Sequence, residues 1–188
     1  MYKRQVTAGY SFQIDLNTSF TGEDSLDVSI DAGNADAGNL DELDLNDAGD
    51  TLKVDGVSYT FPLGDKTTVI VGDNTDGSAL FNIACVYGGP SNTLDDCGTV
   101  KAGITGGGVA LGASYDIGAG FTTAVGFQFV ETGIATEGNA DSYAFNLAYT
   151  ADNYGLSYTY AALETSGTRG LAHTDSYNAF NGLSLIHI

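Results

Sequence analysis

Few side chains in this chain have the types and spacing for catalysis. His173 stands alone, and His187 lies in the final six residues, so a Ser-His-Asp relay finds no histidine with partners. The acid pairs Asp41-Glu42 and Asp95-Asp96 would serve as acid and base only if buried together. In stretches so rich in Gly, Asn and Asp they read as solvated charges. The near-repeat Asp31-Ala32-Gly33-Asn34 and Asp36-Ala37-Gly38-Asn39 would hold Ca²⁺ loosely, without the spacing of an EF-hand loop or a nonapeptide roll. Gly106-Gly107-Gly108 is followed by neither a Lys nor a helix and is no phosphate loop. Cys85 and Cys97, separated by eleven residues in an oxidising envelope compartment, are expected to form a disulfide rather than stay free thiols, and a zinc site would want further Cys or His nearby. Closing so short a loop would contribute about 2–3 kcal/mol on the chain-entropy model. The expectation is therefore no catalytic residue, no cofactor and no metal.

A second set of residues has the spacing for a water-facing wall. Gln13, Asp15, Asn17, Asp27, Ser29, Asp31, Lys66, Thr68, Ser114, Asp116, Gln128, Asn146, Ser157 and Thr159 are expected to line it, most of them set between apolar neighbours. Hydroxyls, amides and carboxylates on one side of a wide barrel keep water inside it, so hydrated solutes pass without full desolvation. An excess of carboxylates concentrates cations within about a Debye length, ~8–10 Å. The bland alternative is that these acids serve solubility and contacts to lipopolysaccharide through divalent ions.

Strands must position such a wall. Tyr10, Phe12, Ile14, Leu16, Thr18 and Phe20 alternate with Ser11, Gln13, Asp15, Asn17 and Ser19, a period of two that gives one apolar and one polar face. A first strand is expected over Val6–Phe20, turning at Thr21–Asp24 into Ser25–Asp31. The solvated stretch Ala32–Asp50 follows, and Asp55-Gly56 within Lys53–Val57 carries the signal for a minor hairpin. Val57–Leu63 then turns at Gly64-Asp65 into Lys66–Gly72, with Pro62 on the inner face just before the turn. A long excursion covers Asp73 to about Gly106. Val109–Ile117 pairs with Phe121–Phe129, and Tyr143–Tyr149 with Tyr154–Tyr160; a ninth strand starts near Asp175.

The tight turns fall at one end of this meander and the long loops at the other. Outer-membrane barrels sort their connections in this way. The expected fold is all-β, an antiparallel up-and-down transmembrane β-barrel of which eight to nine strands are present. Phe20, Phe61, Phe121, Tyr149 and Tyr154 lie near the tight turns, and Tyr10, Phe127, Phe129, Tyr143, Tyr158 and Tyr160 at the far ends. Two aromatic belts flanking Val, Ile, Leu, Ala and Thr suit a hydrocarbon slab with headgroups on both sides; core aromatics of a sandwich would cluster mid-strand instead.

Composition agrees. The chain carries 24 acids against 6 bases, a net charge of −18, which argues against nucleic-acid binding. Twenty-six Gly, two Pro, eleven Tyr and nine Phe describe a β-protein. Mean hydropathy near zero is uninformative, since the two faces of a barrel strand cancel. No run of 18 apolar residues is present, so a transmembrane helix is not expected.

At Asn17-Thr-Ser-Phe-Thr-Gly-Glu-Asp-Ser-Leu26, at Tyr59-Thr-Phe-Pro-Leu-Gly-Asp-Lys66 and at Gly107–Phe121 the chain resembles the porins of cyanobacterial outer membranes. These are related to carbohydrate-selective porins and often labelled iron-uptake porins. The likeness spans most of Val6–Gly182, and the acidic character and Cys-containing loop look most like marine picocyanobacterial members. It implies a sixteen-stranded channel for carbohydrate or inorganic iron, preceded by a surface-layer-homology domain; neither that domain nor roughly half the barrel is in this chain. Met1–Gln5 and Leu183–Ile188 do not fit their surroundings and read back as translated sequencing-adapter ends, leaving 6–182 as the partial barrel.

The resulting expectation is a passive diffusion channel for small hydrophilic solutes and ions, not an enzyme. Its partners would be outer-membrane lipid and lipopolysaccharide, and its assembly a homotrimer. A secreted acidic β-sandwich or adhesin-like module, stabilised by Ca²⁺, is the main alternative and would need no detergent. A β-sandwich glycoside hydrolase, the third, would need two buried carboxylates facing a cleft.

Overall fold

The computed structural model of the chain describes residues 10–33, 51–83, 103–104, 108–131, 133–134, 140–165 and 173–184. These residues form nine strands and no helix: β1 (Ser11–Thr18), β2 (Ser25–Gly33), β3 (Lys53–Pro62), β4 (Thr67–Asp73), β5 (Val109–Gly118), β6 (Phe121–Phe129), β7 (Ser142–Thr150), β8 (Tyr154–Thr165) and β9 (His173–Ser184). All belong to one antiparallel sheet in the order β1 to β9. The all-β, up-and-down expectation is met. The sheet is open, with β1 and β9 as its two edges.

The short connections are held by specific chemistry. Between β1 and β2, Asp24 accepts hydrogen bonds from the Tyr59 hydroxyl (2.6 Å), the Thr21 amide and hydroxyl (2.7 Å each) and the Ser19 hydroxyl (2.7 Å). That cage holds the Asp24 carboxyl well below the usual carboxylate range, Tyr59 contributing most. The β5–β6 turn instead uses backbone freedom. Gly118, Ala119 and Gly120 have φ of 99°, 54° and 85°, a run of left-handed residues that two glycines make affordable.

Register carries the sequence alternation across the whole sheet. Leu26, Tyr59, Val71, Leu111, Phe127 and Tyr143 lie opposite one another on six successive strands. On the other face the corresponding row is Asn17, Asp27, Ser58, Gly72, Ala110, Gln128 and Ser142. Burial is inverted relative to a water-soluble sheet. Leu111 is 40% exposed beside Ala110 at 1%, and Phe145 is 39% exposed beside Asn146 at 0%. Among the described residues the buried apolar side chains are eight alanines, Ile70 and Ile104. Nothing in the described residues packs a second sheet against the Leu, Phe and Tyr face.

Several expectations change. Asp55-Gly56 is no hairpin; Ser29 pairs with Gly56 and Ile30 with Val54, so Asp55 is the extra residue of a β-bulge. A Cβ on Gly56 would lie 2.6 Å from the Asn74 carbonyl, so the glycine answers to close approach, not to a turn. Lys66 sits in the exposed β3–β4 turn rather than on the polar face, because β4 begins only at Thr67. The ninth strand, expected from near Asp175, starts at His173 and runs to Ser184. Tyr158 lies mid-strand opposite Leu147, not at a far end, because β8 runs on to Thr165. The start of the first strand at Val6, most of the stretch Ala32–Asp50, and Cys85 with Cys97 lie outside the described residues.

Candidate functional site

The polar face of the sheet is the candidate site, and its two ends differ. On β1–β3 the side chains form a ladder of carboxylates, amides and hydroxyls. Asp15 accepts from the Ser29 hydroxyl (2.7 Å) and the Gln13 amide (3.2 Å). Asn17 donates to Ser25 and to Asp27, and Ser25 also donates to Asp27 (2.7 Å). Gln13, Asp15 and Asn17 are exposed, Asp27 and Ser29 half-buried, and Asp31 is buried opposite Lys53.

Beside this ladder lies a polar recess of about 260 Å³, lined by Asp27, Ser29, Asp55, Ser58, Asn74 and Asp76 among others. Asn74 fixes one wall by donating its side-chain amide to the Asp55 carbonyl. Desolvation at the recess wall pushes the Asp76 carboxyl up, since it disfavours the charged form. Lys53 and Lys66 are the basic residues among the described ones, so carboxylates dominate the field here. Among the described residues no group of three or more His, Cys, Asp or Glu is arranged to hold a metal ion.

Across β5–β8 the same face is covered. After β4 the chain turns inward, and residues 76–83 lie over the strands. Gln128 accepts a hydrogen bond from the Gly77 amide (2.8 Å) and donates to the Gly108 carbonyl (3.3 Å). Asn146 accepts from the Asn82 amide (3.2 Å) and donates to the Thr159 hydroxyl (3.1 Å). Ser78 exchanges hydrogen bonds with the backbone of Ile104 (2.9 and 3.0 Å), and the Tyr177 hydroxyl donates to the Gly103 carbonyl (2.8 Å). Ile104, Ala144 and Ala161 make a small apolar core there, with Phe81, Leu163 and Tyr177 against it. The backbone approach is close: a Cβ on Gly126 would collide with the Gly77 carbonyl, and one on Gly112 would sit 2.9 Å from the Ile70 side chain.

The expected wall residues therefore divide. Gln13, Asp15, Asn17, Asp27 and Ser29 gather on the uncovered end. Thr68 and Ser114 are paired, half-buried, mid-face. Asp116 is exposed and caps the β5–β6 turn by accepting from the Gly118 amide (2.8 Å). Gln128, Asn146, Ser157 and Thr159 were expected to face water and are instead buried, at 5%, 0%, 6% and 0% exposure. The two amides serve as anchors for the inward segment. The aromatic positions Phe20, Tyr59 and Phe61 make ring contacts at 6.2 and 5.4 Å beside two tight turns, and Phe121, Tyr149 and Tyr154 do so at 4.6 and 5.7 Å beside two others. Tyr10, Phe129 and Tyr143 stand at the opposite end of their strands.

Sequence alternation does not reveal the inward segment. Its signal was present nonetheless, in the small residues that share the polar face with the anchors: Ala110 and Gly112 on β5, Ala124 and Gly126 on β6, Ala144 and Ala148 on β7. An open aqueous wall has no need of side chains that small. In comparison with known proteins, no family model, no curated protein and no solved structure matches the chain.

Proposed function

We propose that the nine strands are part of a membrane-spanning β-barrel of an outer membrane, and that the chain contributes to a channel for passive diffusion of small hydrophilic solutes and ions, with a preference for cations. The supporting observation is the inverted packing. A water-soluble monomer rarely exposes a contiguous apolar patch beyond about a few hundred Å². Here Phe12, Ile14, Leu16, Leu111, Val125, Phe145, Leu147 and Leu156 are all exposed on one face of a single sheet. Lipid is the solvent that makes such a face favourable, and strands of 7 to 12 residues match the roughly 9–11 needed for a tilted crossing. The sorting of short turns and long connections, and the resemblance to cyanobacterial porins, point the same way. Outer-membrane lipid, lipopolysaccharide and two further copies in a homotrimer are the partners this reading implies.

In this reading the inward segment narrows the passage on the β5–β8 side and leaves the acidic ladder of β1–β3 as the wall that solutes meet. The full-length parent protein reconstituted into planar bilayers is expected to give stepwise conductance with a reversal potential favouring cations. Absence of conductance would defeat the channel, and an anion-favouring reversal potential would defeat the role of the ladder.

A further inference from the structure

We infer that the apolar face carries a seat for one acyl chain of a neutral phospholipid, at the tight-turn end between β6 and β9; the inference rests on the membrane reading above. A groove of about 480 Å³ opens there, within the size range of ligand pockets. Its lining includes Phe121, Leu147, Leu156, Tyr158, Phe180 and Gly182. Gly182 differs from the glycines of the covered face. A Cβ there would meet only the Leu156 side chain at 3.4 Å, an ordinary contact, and its backbone lies outside the left-handed region. The fold does not require a glycine at this position, and its missing side chain leaves the groove open.

The chemistry of the walls selects the occupant. The Tyr158 hydroxyl is engaged with Asn178 (2.6 Å), and the Tyr149 and Tyr154 rings lie against one another at 5.7 Å. A peptide or sugar entering would surrender hydrogen bonds to water, whereas a hydrocarbon chain surrenders none. The groove is continuous with the apolar face that runs over the sheet. Charge selects the headgroup: Asp116 and Asp152 stand exposed at the β5–β6 and β7–β8 turns beside the groove, so an anionic headgroup is repelled at this end.

The chain has no Trp, so single reporters are clean. Phe121→Trp places one on the groove wall, and Tyr115→Trp places one on the same face outside it. The protein in detergent micelles is titrated with phosphatidylcholine brominated on its acyl chains, and with the phosphatidylglycerol analogue. Quenching at Phe121→Trp is expected at about tenfold lower phosphatidylcholine than at Tyr115→Trp, equivalent to about two extra buried methylenes. Phosphatidylglycerol should be weaker at Phe121→Trp, and adding Gly182→Leu should bring the two reporters together. Equal quenching at both reporters, or no effect of Gly182→Leu, overturns the seat while leaving the lipid-facing surface intact. Quenching at neither reporter overturns both.

Discussion

The two ends of one polar face teach different lessons. On β1–β3 it is built from Gln13, Asp15, Asn17, Asp27 and Ser29, long or charged side chains that satisfy one another and remain open. On β5–β8 it is built from alanines, glycines and two buried amides, and the chain itself fills the space above. The strands pair antiparallel with their neighbours throughout. Side-chain size and charge decide whether water or backbone covers the sheet. The charged end cannot be covered cheaply, because burying an ionised carboxylate without a full set of partners is costly. The small-residue end cannot be left open cheaply either, since Gln128 and Asn146 would lose geometrically fixed partners.

The strongest way to break this contrast is to restore a side chain where backbone meets backbone. Gly126→Val would collide with the Gly77 carbonyl. It should cost about 3 kcal/mol or expel the inward segment. Limited proteolysis would report new cleavage within residues 76–83, and single-channel conductance should rise. Unchanged proteolysis would mean that the segment does not rest on β6.

Next come the anchors. Asn146→Leu removes the acceptor for Asn82 and the donor to Thr159 at a fully buried position. A loss of about 1–3 kcal/mol by chemical denaturation is expected, and Gln128→Leu should behave alike.

The turn cage gives a pH signature on the open side. The Asp24 carboxyl is depressed in the folded state, so its contribution is fully present above about pH 4 and is lost as pH falls below that towards the folded value. Asp24→Asn should therefore lower the unfolding midpoint at pH 7, and the gap from wild type should shrink steadily below pH 4. A gap that is constant with pH would mean that the charge is immaterial to the cage.

The smallest effect on stability and the sharpest on selectivity should come from the ladder itself. Asp15→Asn with Asp27→Asn sits on partly open surface and should change stability by about 0.5 kcal/mol or less. It should still shift the reversal potential towards zero. An unmoved reversal potential would remove these two carboxylates from the account.

Much of this architecture was legible in the sequence. Period-two alternation from Tyr10 to Phe20 and from Val109 to Phe129 is a local property of the chain, and the turn residues at Gly64-Asp65 and Gly118-Ala119-Gly120 fix where strands end. The bulge at Asp55 was not legible, because Asp-Gly is the same dipeptide in a hairpin turn and in a strand that must admit Asn74. Nor was the fate of Gln128 and Asn146. An amide on a polar face reads identically whether its partner is water or the backbone of a residue 51 or 64 positions earlier. Long-range packing leaves its mark only in the size of the neighbours, which hydropathy alternation ignores.

The central claim is that one face meets hydrocarbon and the other does not. Nitroxide labels placed singly at Leu111, Val125 and Leu147, and at Ala110, Ala124 and Ala148, in a Cys85→Ser, Cys97→Ser background reconstituted into bilayers, test it most directly. The account predicts high collision with oxygen and low collision with a water-soluble nickel complex for the first three, and low oxygen collision for the second three. High nickel-complex collision at Leu111, Val125 and Leu147 would contradict it.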